Sequence, residues 1–308
     1  MGTHVIAVVG ATATGKSGLA IELARALDGE VVNADSMQLY QGMDIGTAKE
    51  SAAAWQGVPH HLLDIWPVTQ AANVADYAKL ARAAIEEIMA RGRVPILAGG
   101  SGLYVRAALD DLDFPGTDAG TRARLEDELA RLGPAALHAR LAGLDPAAAA
   151  AILPSNGRRI VRALEVIEIS GRPFAATMPG YQQNRPAVQI GLTLSRPELD
   201  RRIAARVDRM WQAGLEAEVR SLVDMGLRAG KTASRALGYQ QLLRYLDGEW
   251  TLDQARLETI KATRRFARRQ ESWFRRDPRV RWLSPTSEAA LLADASAMIT
   301  KTFVPSAT

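Results

Sequence analysis

Cysteine is absent from this chain of 308 residues, so no disulfide, iron–sulfur cluster or thiolate zinc site can form. Histidine is scarce: there are four, and the adjacent pair His60 and His61 has too few companions to predict a zinc site. No apolar run approaches the ~20 residues that a membrane-spanning helix needs. The first strand-like run begins at Val5, which leaves no room for a targeting peptide, so we expect a cytoplasmic protein.

Basic charge is concentrated near the C-terminus. The net charge is only +4, yet residues 261–281 include nine Lys/Arg against Glu271 and Asp277, so the rest of the chain is acidic overall. Such a tract is typical of polyanion binders, although a charge run can equally be a solvated helix face. In the same tract, Trp273 and Phe274 are expected in the core. One face carries four basic residues at helical spacing: Lys261, Arg264, Arg268 and Arg275.

Short apolar runs alternate with helical patterns in the first third of the chain. Residues 5–9 and 94–99 are typical of buried strands, and 16–27 of a helix with leucines at one-turn spacing. This alternation predicts an α/β fold with a parallel sheet flanked by helices. Helix then follows helix from about 114 to 186, so we predict a helical insertion at 114–186 in an α/β core of residues 1–113 and 187–308.

The segment 10–17 contains the most specific motif. Its sequence, GATATGKS, fits G-x-x-x-x-G-K-[ST] between a predicted strand and a predicted helix, which makes the sheet P-loop-type. Backbone N–H groups and the helix N-terminus attract phosphate, the lysine neutralises phosphate oxygens, and the last hydroxyl can hold Mg²⁺. We therefore predict a phosphate site formed by Gly10, Ala11, Thr12, Ala13, Thr14, Gly15, Lys16 and Ser17, with Ser17 as the metal ligand.

The motif does not identify the phosphorylated molecule. An ATPase usually adds an apolar strand that ends in aspartate and a residue that positions water. The strand at 94–99 instead leads into GGSG, which also lacks the G-x-S-x-G spacing of a serine nucleophile. Asp35 follows the short apolar run Val31 and Val32, and a carboxylate at the carboxyl end of such a strand faces the ligand crevice. It can organise a metal, cap a helix or act as a base.

Seven segments together resemble the tRNA dimethylallyltransferase family. In chain order they are GATATGKS, NADSMQLYQGMDIGTAK, PHHLLDI, LAGGSGLY, RRIVRALEV, SRALGYQQ and TRRFARRQESWFRR, and the likeness extends from about residue 4 to 283. The resemblance implies transfer of a dimethylallyl group from dimethylallyl diphosphate to N6 of the adenosine 3′ to the anticodon of tRNA, giving N6-isopentenyladenosine. It also implies that the loop 10–17, with Mg²⁺, holds a leaving diphosphate.

The resemblance further implies roles for single residues. Asp35 matches the family's general base, and Ser101 and Arg235 match residues near the reacting diphosphate and amine. Ser101 stands where threonine is usual and Arg158 where glutamine is common; serine keeps the hydroxyl. The positions that match tRNA contacts are Asp35, Ser36, Met37, Gln38, Ser101, Arg122, Arg158, Arg159, Ile160, Val161, Arg162, Arg235, Gly238, Tyr239 and Gln240.

Three other functions share part of these features. A prenyltransferase acting on free AMP or ADP would need the same loop and Asp35, an ATP-dependent small-molecule kinase would need the loop, and a non-catalytic RNA-binding protein would need the basic tract. The arginines of the insertion and the basic C-terminal helix favour a large RNA acceptor. Asp35 at the crevice favours catalysis. We therefore expect a tRNA-modifying enzyme that binds the anticodon stem–loop as a monomer.

Overall fold

The structure, a computed structural model, describes residues 4–112, 114–174, 180–285 and 287–303. The chain divides into two compact units, Asp111–Gln182 and the remainder on either side of it. The sequence-based boundaries lie at 113/114 and 186/187, and residue 113 itself is outside the described ranges.

The larger unit contains a parallel sheet with the strand order β3-β2-β4-β1-β5-β6. This confirms the predicted P-loop-type sheet. The central strand β1 has Val8 opposite Ala98 of β4 and Ile190 of β5. The strands are β1 (Val5–Gly10), β2 (Gly29–Asn33), β3 (His60–His61), β4 (Val94–Gly99), β5 (Ala187–Leu192) and β6 (Val280–Leu283).

All six residues of the central strand β1 are buried, because helices cover both faces of the sheet. On one face, Leu23, Ile190 and Ala295 belong to a single apolar cluster that joins the first helix, the sheet and the last helix. The helices of this unit are α1 (Lys16–Leu27), α2 (Val74–Ala90), α3 (Gly102–Leu109), α7 (Arg196–Gln212), α8 (Leu215–Asp224), α9 (Tyr239–Leu246), α10 (Leu252–Phe274) and α11 (Glu288–Phe303); α4 to α6 form the smaller unit.

The smaller unit is helical, with α4 (Ala119–Leu144), α5 (Pro146–Ala151) and α6 (Gly157–Ser170) around an apolar core that includes Leu125, Leu141 and Leu164. α4 is kinked at Gly133, whose φ is 78°, immediately before Pro134. Proline cannot continue the hydrogen-bond ladder there, so the helix is broken into two segments. Among the described helices of both units, none has the length and apolar character to span a membrane.

Three loops meet at the carboxyl edge of the sheet, since β1, β2 and β4 are parallel neighbours. The phosphate loop follows β1, the segment with Asp35 follows β2, and the segment with Ser101 follows β4. Gly99 lets the last two approach closely: a Cβ there would lie 2.2 Å from the backbone of Ala34. The edge is the ligand crevice of doubly wound sheets, so the fold brings the predicted phosphate and acceptor residues together.

A buried ion-pair cluster joins the end of α3 to the end of α10 and β6. Asp110 is fully buried and accepts from Arg106 Nε at 2.6 Å and from Arg279 Nη1 at 2.6 Å. We expect Asp110→Ala to lower the free energy of unfolding by about 3 kcal/mol, because the buried guanidinium of Arg106 loses this carboxylate, while Arg279 keeps its pairing with Asp277. Urea unfolding checks this, with Glu198→Ala in an exposed pair as the control, for which we expect less than ~1 kcal/mol. Equal losses would contradict the prediction.

Candidate active site

The phosphate loop has the backbone that its glycines predict. Gly10 and Gly15 have φ of 136° and 94°, a region that favours glycine, and Ala13 also has a positive φ of 65°. A Cβ at Gly10 would lie 2.6 Å from the carbonyl oxygen of Leu192, so this position tolerates no side chain. α1 begins at Lys16 directly after the loop, which aims the helix N-terminus at any bound anion.

The side chain of Lys16 folds back onto the phosphate loop. Its Nζ donates to the carbonyl oxygen of Ala11 at 2.6 Å, and Thr14 Oγ1 donates to the same oxygen at 2.9 Å. Burial lowers the pKa of Lys16 to about 8, while the nearby Asp35 partly opposes that shift. An ammonium whose hydrogen-bond partner is a neutral carbonyl oxygen is poorly compensated for lost water, so an anion at this point is favoured.

Asp35 is fixed by the residue at the end of β2. Asn33 Oδ1 accepts the backbone N–H of Asp35 at 2.8 Å, and Asn33 Nδ2 donates to the carbonyl oxygens of Asp35 and Leu62, both at 3.0 Å. One carboxylate oxygen of Asp35 accepts the N–H of Met37 at 3.0 Å. The other makes no hydrogen bond to any residue in the described ranges, which leaves it available to accept a proton from an acceptor.

Lys16 and Asp35 line the same cleft, which has a volume of about 450 Å³. Its size is that of a small-molecule site. Its cationic end and its carboxylate suit a reaction in which an anion leaves while an acceptor loses a proton. The lining residues that carry this chemistry are Thr12, Lys16, Ser17, Asn33, Asp35, Gln38, Thr47, Arg206 and Arg209.

Arg206 and Arg209 on α7 add positive charge that the sequence did not predict. Arg206 Nη2 donates to the carbonyl oxygen of Thr47 at 3.0 Å. Burial lowers the pKa of Arg206, although Asp35 opposes this, and a guanidinium remains protonated at neutral pH. No local motif surrounds Arg206 in the chain; it reaches the cleft because α7 packs nearby.

The loop 43–49 forms one wall of the cleft and is fixed by Glu218. Glu218 accepts the backbone N–H groups of Asp44, Ile45 and Gly46 at 3.1, 2.6 and 3.1 Å. Tyr239 also donates its hydroxyl to Glu218, at 2.5 Å. Burial, followed by the carboxylate, raises the pKa of Tyr239, so this hydroxyl stays a donor. Glu218 therefore holds the wall against α8 and α9.

Ser101 lies one contact behind the cleft rather than among its lining residues. Its N–H donates to the carbonyl oxygen of Ala34 at 3.3 Å, and its Oγ accepts the N–H of Ser36 at 3.2 Å. Ser101 Oγ also donates to Ser36 Oγ at 3.3 Å. The hydroxyl thus joins the segment after β4 to the segment that carries Asp35.

The predicted segment 235–240 is only partly directed at a ligand. Arg235 is exposed on a short 3₁₀ turn and does not line the cleft with Asp35. Gly238 is buried, with its N–H donating to Gln241, and the Tyr239 side chain is fully buried. The buried ring of Tyr239 is closed to RNA. Its hydroxyl instead supports the loop 43–49 through the hydrogen bond to Glu218. Gln240 is exposed.

The smaller unit collects the remaining predicted RNA contacts. Arg122 and Arg162 both donate to the buried carboxylate of Glu165, the latter at 2.9 Å. Burial alone would raise the pKa of Glu165, but the hydrogen bonds from these two arginines outweigh it and the pKa is lowered. The shared carboxylate fixes both guanidinium groups relative to α6.

At the start of α6 the predicted residues divide by face. Arg158 and Arg159 are exposed, whereas Ile160 and Val161 are buried in the core of the smaller unit. The two apolar side chains are therefore closed to RNA. They orient the first turn so that its arginines face outward.

The basic face of α10 is largely exposed. Arg268 is exposed, Arg264 donates to the carbonyl oxygen of Asp200 at 3.2 Å, and Arg275 pairs with Glu271. Phe274 is 2% exposed, as predicted, but the prediction for Trp273 was wrong: it is 36% exposed. Trp273 instead covers Gly102 at the start of α3, where a Cβ would lie 2.0 Å from the indole.

The cleft offers Ser17, the predicted metal ligand, together with the carboxylates of Asp35, Asp44 and Glu50. No group of three His, Asp or Glu side chains in the described part of the chain could hold an ion. Ser17 offers a hydroxyl in the cleft, and Mg²⁺ usually takes few protein oxygens, with water and substrate phosphates completing its shell. The residues therefore fit Mg²⁺ carried by a diphosphate. His60 and His61 contact Val58 and Glu30 instead.

The sequence matches a family model described as IPP transferase over residues 38–277. It is 69% identical to the tRNA dimethylallyltransferase of Thermobifida fusca (strain YX) over 284 residues, covering 91% of this chain and 89% of that protein. The tRNA dimethylallyltransferase of Streptomyces avermitilis is also 69% identical, over 281 residues, covering 91% of this chain and 90% of that protein.

Solved structures give the same likeness. The full-length tRNA isopentenylpyrophosphate transferase from Bacillus halodurans has a TM-score of 0.72 and 41% identity, covering 97% of both chains. A eukaryotic dimethylallyltransferase acting on tRNA has a TM-score of 0.82, covering 97% of this chain and 78% of that one. At 24% identity the latter supports the fold alone.

Proposed function

This chain belongs to the IPP transferase family, and we propose that it transfers the dimethylallyl group of dimethylallyl diphosphate to N6 of the adenosine 3′ to the anticodon in tRNA. The observation that carries the proposal is a single cleft lined by both Lys16 and Asp35. The product is N6-isopentenyladenosine, and the reaction takes place in the cytoplasm, where tRNA is found.

The leaving diphosphate occupies the phosphate loop. The bond between C1 of the dimethylallyl group and the diphosphate oxygen breaks, and the negative charge that develops is stabilised by Lys16, Arg206 and the loop N–H groups. Preorganised donors of this kind usually supply the largest share of rate enhancement. Ser17 would hold a divalent ion, which we assign as Mg²⁺, and that ion would neutralise diphosphate charge.

Asp35 accepts the proton that N6 loses as the new C–N bond forms. An exocyclic adenine amine is a weak nucleophile because its lone pair is delocalised into the ring, so a base positioned at the nitrogen is valuable. The oxygen of Asp35 without a hydrogen bond is the proton acceptor. Ser101 positions this carboxylate through Ser36.

The acceptor adenosine has to leave the base stack to reach this cleft. Unstacking costs a few kcal/mol, and a single-stranded anticodon loop keeps that cost low. Four arginines of the smaller unit (Arg122, Arg158, Arg159 and Arg162) and the exposed face of α10 supply phosphate contacts on the stem–loop. In the larger unit, Arg235 and Gln240 are both exposed and are further candidates for contact with the tRNA.

One assay separates this function from the alternatives. The protein is incubated with unmodified tRNA, dimethylallyl diphosphate and Mg²⁺, and the digested tRNA is analysed for prenylated adenosine. Prenylated adenosine in tRNA is the expected result. Transfer to free AMP without transfer to tRNA would replace the proposal by an adenylate prenyltransferase, and ATP-dependent phosphorylation of a small acceptor would replace it by a kinase.

Arg268→Ala is expected to weaken tRNA binding uniformly and to lower the salt slope of log Kd by ~1, because one phosphate contact is lost. Binding is measured at several salt concentrations. Arg25→Ala is the matched control, since Arg25 lies at the far end of α1 and pairs with Glu22 and Gln56. An unchanged slope for Arg268→Ala would mean that this face of α10 is only solvated.

A further inference from the structure

One buried side chain connects the basic helix α10 to two loops of the cleft. Gln270 is 6% exposed. Its Oε1 accepts the backbone N–H of Thr12 in the phosphate loop at 2.9 Å, and its Nε2 donates to the carbonyl oxygen of Gly100 at 2.9 Å. A single amide therefore bridges the segment after β1 and the segment after β4, from a position 258 residues after Thr12 and 170 residues after Gly100.

Both hydrogen bonds of Gln270 are to backbone groups, so they constrain the two loops directly. Thr12 directs its N–H at Gln270, so the curvature of the phosphate loop at this point is set by α10. Gly100 precedes Ser101, whose hydroxyl contacts the segment that carries Asp35. A buried amide group that loses its partner keeps the full cost of desolvation, so neither loop can shift without penalty while Gln270 is present.

The packing around this amide leaves little freedom. One turn before Gln270, Ala267 packs in a small apolar cluster with Ala11 of the phosphate loop. One turn after it, Trp273 covers Gly102, and at Gly100 a Cβ would lie 2.3 Å from Gln270 Nε2. Three consecutive turns of one helix face therefore fit against the two loops, with glycine at the points of closest approach.

We propose that Gln270 is a positioning residue that sets the spacing between the phosphate loop and the Ser101 segment, and thereby between the leaving diphosphate and the acceptor amine. The inference rests on the proposed prenyl transfer. Bond formation requires reacting atoms ~3–3.5 Å apart, and a misplacement of ~1 Å can cost ~10²-fold in rate. The bridge acts on geometry and makes no contact with substrate.

Gln270→Met tests the bridge, since methionine has similar length and no hydrogen-bonding amide. We expect kcat for prenyl transfer per folded molecule to fall ~10- to 100-fold while KM for dimethylallyl diphosphate changes less than ~3-fold, because position rather than charge is altered. Thr251→Ala is the matched control. It removes the N-cap of the same helix about 28 Å along its axis and destabilises α10 without touching either loop.

Hydrogen exchange supplies a readout that does not depend on activity. In Gln270→Met, exchange is expected to be faster in peptides covering 10–17 and 99–104, and in Thr251→Ala it is expected to match the wild type there. Gln270→Glu is a second variant for the case that Gln270→Met folds poorly. Its carboxylate keeps an acceptor for the N–H of Thr12 and lacks the donor to the carbonyl oxygen of Gly100. It should speed exchange only at 99–104 and, through its negative charge beside the phosphate loop, raise KM for dimethylallyl diphosphate.

The outcomes separate a positioning role from a structural one. A kcat for Gln270→Met within twofold of the wild type, or an equal loss in Thr251→Ala, would overturn the proposal. Unchanged exchange at both loops in the Gln270 variants would also overturn it. If the wild-type protein does not prenylate tRNA, the proposed function fails on its own assay, while the exchange data still decide whether Gln270 holds the two loops.

Discussion

Asp35→Asn is expected to lower kcat for prenyl transfer by ~10²- to 10⁴-fold, the usual contribution of a general base. Asparagine can still accept the N–H of Met37 with its side-chain oxygen, so the turn after β2 is kept. It cannot take a proton from the adenine N6. Single-turnover rates with saturating tRNA measure the chemical step directly, and tRNA affinity should change less than threefold.

Asp64→Asn is the control for this variant. Asp64 is an exposed carboxylate of the same region that pairs with Lys49 at 2.5 Å and is not among the residues that line the cleft. We expect its transfer rate to stay close to that of the wild type. If Asp35→Asn instead lost tRNA affinity and kept its single-turnover rate, Asp35 would be an RNA-binding residue and another group would be the base.

Lys16→Met is expected to lower kcat/KM for dimethylallyl diphosphate by ~10³-fold or more, since a charged donor to the leaving group is worth several kcal/mol in a water-poor site. Titration calorimetry with inorganic diphosphate and Mg²⁺ should show a matching loss of affinity. Lys16→Arg should not restore activity, because a planar guanidinium does not fit a loop closed around a compact ammonium. Wild-type affinity for diphosphate in Lys16→Met would exclude Lys16 from the site.

The lowered pKa of Lys16 predicts two opposite pH effects. Only the protonated lysine binds diphosphate well, so kcat/KM should be level below about pH 7 and fall as the pH rises through about 8. Stability should move the other way: between about 8 and the ordinary 10.5 the unfolded chain binds the proton that the folded chain has released, so this contribution rises with pH. Both trends should vanish in Lys16→Met, measured by steady-state kinetics and urea unfolding.

Local features of the site could be predicted because they depend on near neighbours. The helix expected at residues 16–27 is α1 (Lys16–Leu27), since leucines at one-turn spacing and a glycine turn are read within a single segment. The strand runs and the phosphate loop are local in the same way. The place of Asp35 at the sheet edge followed from the rule that parallel strands end together.

The supporting residues could not be predicted, because their partners are distant in the chain. Glu218 holds backbone N–H groups more than 170 residues away, Arg206 reaches Thr47 across 159 positions, and Gln270 reaches Thr12 across 258. None lies in a pattern that specifies a site. Each has ordinary helix neighbours, so only the packing of α7, α8 and α10 assigns it to the cleft.

Resemblance located segments without specifying which side chain of each segment faces a ligand. Ile160, Val161 and Tyr239 stand in segments that match RNA contacts, yet their side chains are buried. Trp273 is the opposite case: it was expected in the core, but it is partly exposed and covers Gly102. A helix turns 100° per residue, so adjacent positions of one motif point in unrelated directions.

Short-range patterns were enough to predict the fold class, the phosphate loop, the carboxylate beside it and the basic helix, since each depends on residues that are close along the chain. The contacts that fix the distances between these parts became visible in the three-dimensional arrangement: the bridge by Gln270, the cleft wall fixed by Glu218 and the second cation at Arg206. Hydrogen bonds between segments depend on side-chain direction and separation in space, and those are set when the helices pack on the sheet.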